Sequence, residues 1–314
     1  MPLPFALDHV NLWVLEDGDG WAQVDTGLGN DDNRALWEQL LAGDLAGRPF
    51  TRLLCTHYHP DHMGLAGWLE GRIGVPLTAT LGEWSSARMS WLDTGPDHIA
   101  HKLAHYRRLG YSDEQLAQMQ AGGNVYRSRI APPPADFRRI SDGDRISIGG
   151  REWRVMTFGG HSPEHACFWC EEAKILIAGD QVLPKISPIV GIWPDEPFTD
   201  QLSLFLAALE RLKELPEDTL VLPAHGHPFR TLGARCEELA RHHEERLDAI
   251  AAACPEPATV LDIQRVVFRR PLDQHQTAFA SAEILAHLRR LELDGRVRRL
   301  ADGAAPWRFE AVRG

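Results

Sequence analysis

Seven consecutive residues, Thr56-His57-Tyr58-His59-Pro60-Asp61-His62, hold three imidazoles and one carboxylate. Neutral imidazole nitrogen suits zinc, iron and manganese, and the carboxylate adds a harder oxygen donor. His57 and His59 stand two apart, so an extended backbone aims both side chains the same way. Asp61 and His62 follow a proline that bends the chain, so they can face a second point close by. One loop therefore carries donors for two metal ions. A polar surface loop with ordinary histidines is the competing explanation, and the density of donors weighs against it.

A hydrolytic two-metal centre takes roughly seven or eight protein ligands, more than one loop supplies. Three further candidates each follow an apolar segment. His161 lies in Phe158-Gly159-Gly160-His161-Ser162-Pro163-Glu164-His165, after the strand-like stretch 153–158. Asp180 ends Ile175-Leu176-Ile177-Ala178-Gly179-Asp180, a continuous apolar run that reads as a buried strand. His225 follows Leu220-Val221-Leu222-Pro223-Ala224 in the same manner. A glycine stands beside each of the three, which lets the backbone come close to an ion. His165, four residues beyond His161, could give a proton to a leaving group or hold a ligand in place. The other histidines, among them His9, His243 and His287, read as surface or packing residues.

In this order and at these distances, His-x-His-x-Asp-His, Gly-His, Gly-Asp and Ala-His-Gly resemble the motifs of the metallo-β-lactamase superfamily, over roughly residues 8–230. The resemblance implies an α+β fold, a four-layer αβ/βα sandwich with the metals at one edge of two sheets. It implies His57, His59 and His161 on a first metal, Asp61, His62 and His225 on a second, and Asp180 bridging them. Asp61 would also orient an attacking hydroxide shared by the two ions. Asp25, in Val24-Asp25-Thr26-Gly27, matches a further motif and is expected beside the ligands rather than among them. The implied cofactors are two divalent ions, zinc first, with iron and manganese also suited.

The elements that must position these residues follow from apolar patterning. Stretches 10–15 and 21–24 flank Asp17-Gly18-Asp19-Gly20 and read as a hairpin. Residues 33–41 read as a helix, 52–55 as a buried strand, 63–70 as a helix and 77–80 as a strand. Residues 83–121 carry apolar positions at helical spacing and read as a helical insertion, either a substrate wall beside the metals or a packing layer. Stretches 139–148 and 153–158 read as a hairpin, and 200–215 as an amphipathic helix. Residues 1–230 thus form the expected catalytic domain. Residues 231–314 form a second domain: helices at 236–253, 259–268 and 281–293, then a hairpin of 296–300 and 306–309 about Asp302-Gly303. Helices followed by a hairpin resemble the winged-helix domain appended to one branch of the superfamily.

Composition narrows the function. The formal net charge is −11, which disfavours generic polyanion binding. Five cysteines, an odd number, give no disulfide framework; Cys167 and Cys170 read as packed thiols rather than a redox pair. No stretch reads as a membrane span, and the first residues carry no basic region before a long apolar core, so a cytoplasmic protein is expected. The resemblance implies hydrolysis of a small-molecule ester, thioester (acyl-CoA or glutathione type) or lactone. Its alternative is a single-stranded RNA nuclease, for which arginines 289, 290, 296, 298 and 299 would supply a basic patch. Packing, against the catalytic domain or against the partner in a homodimer, is the competing role for that domain.

Overall fold

The computed structural model describes residues 1–5, 7–300 and 306–312. Strands β1 (Trp13–Asp17), β2 (Gly20–Val24), β3 (Phe50–Leu54), β4 (Leu77–Ala79) and β5 (Arg138–Arg139) make a five-stranded sheet in that order. β1 and β2 form the expected hairpin. The other neighbours are parallel. Parallel pairing requires crossovers, and helices supply them. Helix α1 (Asp31–Ala42) joins β2 to β3, and α2 (Pro60–Met63) with α3 (Ala66–Ile73) joins β3 to β4. Between β4 and β5 come α4 (Leu81–Leu92), α5 (Pro96–Arg108), α6 (Asp113–Ala121) and the single turn α7 (Val125–Ser128).

A second five-stranded sheet contains β6 (Arg145–Ile148), β7 (Arg151–Phe158), β8 (His165–Cys170), β9 (Ile175–Gly179) and β10 (Leu220–Pro223), in the order β10-β9-β8-β7-β6. It is antiparallel except for β9 and β10, whose crossover includes α8 (Gln201–Lys213). Alternation along the strands builds two apolar layers. Leu53 faces a layer with Trp37 of α1, Leu69 of α3 and Ala87 of α4. Its neighbour Leu54 faces the other way, into a layer shared with Val155, Phe168 and Ile177 of the second sheet. Fully buried large side chains such as Trp37 and Phe168 each contribute about 1.5–3 kcal/mol. Cys170 packs in the layer between the sheets, and all five cysteines are free and buried, as packed thiols should be.

The chain divides into two compact units. The first holds Met1–Asp93, Asn124–Pro188 and Leu212–Arg235, and the second Thr94–Gly123, Ile189–Arg211 and Cys236–Gly314. The expected insertion at 83–121 is therefore split. Helix α4 packs on the first sheet, while α5 and α6 fall in the second unit rather than in the 1–230 domain expected from sequence. Local contacts explain the split. The backbone N–H of Leu261 donates to Leu109 O at 3.2 Å, and the Tyr111 and Ser281 hydroxyls meet at 3.0 Å.

The second unit also contains most of α9 (Leu232–Ala252), then α10 (Val260–Val267), α11 (Gln274–Leu293) and the antiparallel pair β11 (Val297–Leu300) and β12 (Arg308–Ala311). The expected turn at Asp302-Gly303 lies outside the described residues. Helix α11 starts seven residues earlier than its apolar stripe indicated, because Asp273 and Gln276 form a capping box. The expected strand 139–148 is two strands in different sheets. The Asp144 carboxylate accepts from Ser141 N at 2.8 Å and turns the chain between them.

Candidate metal centre

Topology brings the distant motifs to one edge of the sheets. Parallel pairing of β2 and β3 puts their C-terminal ends side by side, so Asp25 stands next to Thr56 and His57. Parallel pairing of β9 and β10 does the same for Asp180 and His225; Ala224 N donates to Gly179 O at 2.9 Å. The β7–β8 loop delivers His161 to the same edge. Two groups of donor atoms result, each within 4.8 Å: His57, His59, His161 and Asp180 in one, Asp61, His62 and His225 in the other. All seven expected ligand positions are thus together.

Asp180 stands between the groups. Its Oδ2 lies 3.6 Å from His161 Nε2 and 4.0 Å from His57 Nε2. Its Oδ1 lies 3.5 Å from His62 Nε2 and 3.4 Å from His225 Nε2. Asp61 Oδ2 is 3.4 Å from His225 Nε2 and 3.8 Å from His62 Nε2.

Whether these residues suit metal ions can be judged from their hydrogen bonds. Asp25 accepts from Thr56 N at 2.7 Å, and the single hydroxyl proton of Thr56 goes to Asp25 Oδ2 at 2.8 Å. The hydroxyl oxygen must then accept from His57 Nδ1–H, 3.0 Å away, which leaves His57 Nε2 with a bare lone pair. His62 Nδ1 donates to Asp25 Oδ2 at 2.9 Å, and His225 Nδ1 donates to the carbonyl of His9 at 2.8 Å. Their Nε2 atoms are by the same logic the nitrogens left to face an ion once the ring is neutral. Tautomers fixed by outer hydrogen-bond partners are the mark of metal-ligating histidines.

Spacing agrees. His57 Nε2 lies 3.0 Å from His59 Nδ1 and 3.2 Å from His161 Nε2. Tetrahedral zinc with N–Zn bonds of about 2.1 Å would set its nitrogen ligands roughly 3.3–3.4 Å apart. His62 Nε2 and Asp180 Oδ1 are buried with no hydrogen-bond partner, a cost that a bound cation removes.

Charge differs between the groups. Burial, reinforced by neighbouring imidazoles, holds His57 well below its ordinary value, and burial with His161 brings His59 down to about 3. These two stay neutral, ready to ligate. Burial also disfavours charge on His62 and His225, but the Asp180 carboxylate outweighs it, with Asp61 adding to the effect. His62 is raised well above normal and His225 to about 10. An ion entering the second group must therefore displace protons.

His165 departs from one expectation. Its ring is fully buried, stacks on His57 with centroids 4.7 Å apart, and its Nε2 accepts from Asp180 N at 3.2 Å. That lone pair is committed to holding the Asp180 turn, so His165 is not placed to protonate a leaving group. Gly179 makes room for it: a Cβ there would come within 2.7 Å of the imidazole, and φ is +51°. Gly160 and Gly226 also have positive φ, so these glycines serve the turns that follow the strands.

Two supports escaped sequence inspection. Glu83, in the first turn of α4, is fully buried and accepts hydrogen bonds from both ligand loops. Burial raises its carboxyl to about 7, against the pull of those donors. In sequence it reads as an acid placed for the helix dipole. The His9 carbonyl is a backbone atom and leaves no signal in residue types. Trp84, in the stretch read as either a substrate wall or a packing layer, packs against the core: it stacks on Phe137 at 4.5 Å and donates to Pro134 O.

A family model described as the metallo-beta-lactamase superfamily matches residues 6–225, and one described as a metallo-beta-lactamase-like C-terminal domain matches residues 247–312. A crystal structure of a beta-lactamase domain protein from Burkholderia ambifaria is 40% identical, with a TM-score of 0.90 over 99% of this chain and 91% of that one. The probable metallo-hydrolase YqjP of Bacillus subtilis is 25% identical over 94% of this chain and 91% of its own length. The acyl-coenzyme A thioesterase MBLAC2 of Gallus gallus is 28% identical over 71% of this chain and 74% of its own. The mixed α/β fold with strand-end histidines and carboxylates gathered at one edge, and the family model that spans it, lead to one conclusion: this chain belongs to the metallo-beta-lactamase superfamily.

Proposed function

We propose that this protein is a binuclear metal-dependent hydrolase of a small ester, thioester or lactone, with acyl-CoA or glutathione thioesters the first class to examine. The position of the Asp180 carboxylate carries the proposal, with one oxygen toward each group of donors. His57, His59 and His161 would hold one divalent ion, Asp61, His62 and His225 the other, and Asp180 both. Zinc is the first ion to examine, and the same donors suit iron and manganese. Ions held there would supply the positive charge that makes water nucleophilic near neutral pH and that stabilises a developing oxyanion.

The chain's own residues do the rest. Asp25 and the His9 carbonyl fix the tautomers of His62 and His225. His165 holds the Asp180 turn. The Asp61 carboxylate, one-fifth exposed, can accept a proton from attacking water. The name of the MBLAC2 relative supports the thioester class.

Ion pairing weighs against the RNA alternative. Each arginine of the proposed basic patch has a carboxylate partner: Arg289 and Arg299 with Glu292, Arg290 with Asp294, Arg296 with Asp248 and Arg298 with Glu310. We read α10, α11, β11 and β12 as a winged-helix-like unit used for packing. Free cysteines throughout fit the cytoplasm. The test is metal analysis followed by turnover on thioesters, esters, lactones and a phosphodiester. Thiol release by the zinc-loaded protein, lost in His59→Ala with folding retained, is expected. Cleavage of the phosphodiester alone would overturn the substrate class, and no bound metal would overturn the whole reading.

A further inference from the structure

Glu83 receives three hydrogen bonds while fully buried. Its Oε2 accepts from Tyr58 N at 2.8 Å, and its Oε1 from Ser162 Oγ and Glu164 N, both at 2.7 Å. Tyr58 lies between His57 and His59, and Ser162 follows His161. One carboxylate thus ties together the two loops that supply all three imidazoles of the first group, although the loops leave different sheets. Neighbouring contacts stiffen the tie. Thr80 Oγ1 donates to Glu164 O at 2.9 Å, and Gly82 N donates to the Glu164 carboxylate at 2.6 Å. On the other side, the Tyr126 hydroxyl donates to Tyr58 O at 2.6 Å. Tyr58 is therefore held at both its N–H and its carbonyl. A backbone bond from Ala166 N to Thr56 O, 2.8 Å, joins the strand ends behind the ligands but not the ligand loops themselves.

We propose that Glu83 is a positioning residue that fixes the spacing of His57, His59 and His161, and so sets the affinity of the first metal site. This rests on the metal-binding function proposed above. The chemistry requires a carboxylate. All three groups facing Glu83 present hydrogens, and two acceptor oxygens take them all. A glutamine amide has one oxygen, so in either orientation its NH2 meets at least one of the backbone N–H groups. Shape is conserved and the tie is broken on one side, which lets one loop drift from the other. Because His57 Nε2 sits 3.0 and 3.2 Å from its partners, a small drift changes the fit to an ion.

The experiment is a cobalt titration of metal-free protein against a competing chelator, followed by the visible d–d bands, in wild type, Glu83→Gln and Glu70→Gln. Glu70 is the control. Its carboxylate accepts from Leu77 N at 3.0 Å, a bond of the same kind away from the ligand loops. We expect Glu83→Gln to weaken the tighter cobalt site about 10–100-fold and to alter its bands, the range typical of lost outer-shell partners. Glu70→Gln keeps that single bond through its amide oxygen and should change neither. If Glu83→Gln does not fold, Ser162→Ala removes one of the three donors and should weaken the site about 3–10-fold, a smaller share of the same effect. Wild-type affinity and spectrum in whichever variant folds would overturn the proposal. Failure of wild type to bind cobalt would instead overturn the metal-binding function on which it rests.

Discussion

Asp25→Asn offers a sharp test of how the second group is organised. Asp25 is buried and has φ of +62°, a left-handed conformation that asparagine tolerates as well as aspartate does. The substituted amide oxygen can still accept from Thr56 N, so the metal-free fold should survive. What changes is the partner of His62. Asp25 Oδ2 now accepts from His62 Nδ1 at 2.9 Å and leaves Nε2 as the nitrogen that faces Asp180 and Asp61. An amide NH2 in that place donates instead. Nδ1 must then accept, so the one hydrogen that the neutral ring keeps sits on Nε2, where an ion would have to bind. A hydrogen bond to a charged group is worth about 1.5–3 kcal/mol, which corresponds to roughly 10–150-fold. Loss of an outer-shell partner of a metal-bound histidine costs about 10–100-fold in affinity, the same order. Metal content after dialysis against graded chelator should show two ions per chain in wild type and about one in the variant, with metal-free Tm values nearly equal. Two ions retained at wild-type affinity would refute the tautomer assignment and, with it, the role given to Asp25.

Other consequences are open to direct measurement. Gly179→Ala should cost about 1–3 kcal/mol by driving a Cβ to within 2.7 Å of the His165 ring, seen as a lower Tm even without metal; an unchanged Tm would contradict the packing described. Chelation of the metal should lower Tm and abolish turnover, and zinc should restore both in a concentration-dependent manner. In the second unit, His287 Nδ1 donates to Glu283 O at 2.7 Å and His243 Nδ1 lies 3.1 Å from His287 Nε2. Burial, with His287, His242 and Arg246 nearby, lowers His243 to about 3; burial brings His287 to about 4, with Arg246 and His242 opposing the Glu283 carbonyl. An unfolded histidine titrates near 6.5, so the unfolded chain binds more protons between that value and about 4. The stability these two contribute is complete above about pH 6.5 and lost as pH falls toward 4. Denaturant midpoints across that window should drop less in His287→Gln than in wild type. Finally, binding of single-stranded RNA should be absent at moderate salt, and a steeply salt-dependent gel shift would reopen the nuclease alternative.

Much of the centre was legible because metal chemistry restricts residue types. Few side chains ligate zinc, and those found here stand just past apolar runs whose length and composition mark buried strands. The seven candidate positions, a hairpin about Asp17-Gly18-Asp19-Gly20, the helix before β3 and the packed state of Cys167 and Cys170 could all be read from patterning and donor type. Boundaries were less legible where local side chains compete with periodicity. The Asp273–Gln276 capping box lengthened α11, and Asp144 turned one expected strand into two.

Sequence alone determined which donors exist and in what order, because ligand identity is a property of the side chain itself. Tertiary structure decided how they are used, because a tautomer or a loop spacing depends on partners far along the chain. It gave Asp25, Thr56 and the His9 carbonyl the task of aiming imidazole lone pairs, and it committed His165 to the Asp180 turn. It placed Glu83 between two ligand loops and closed the C-terminal arginines into ion pairs. It also drew α5 and α6 into the second unit, a choice set by hydrogen bonds at Leu109 and Tyr111 to residues more than a hundred positions away. Pairings of that range leave no trace in local spacing, since only the folded chain brings the partners within reach.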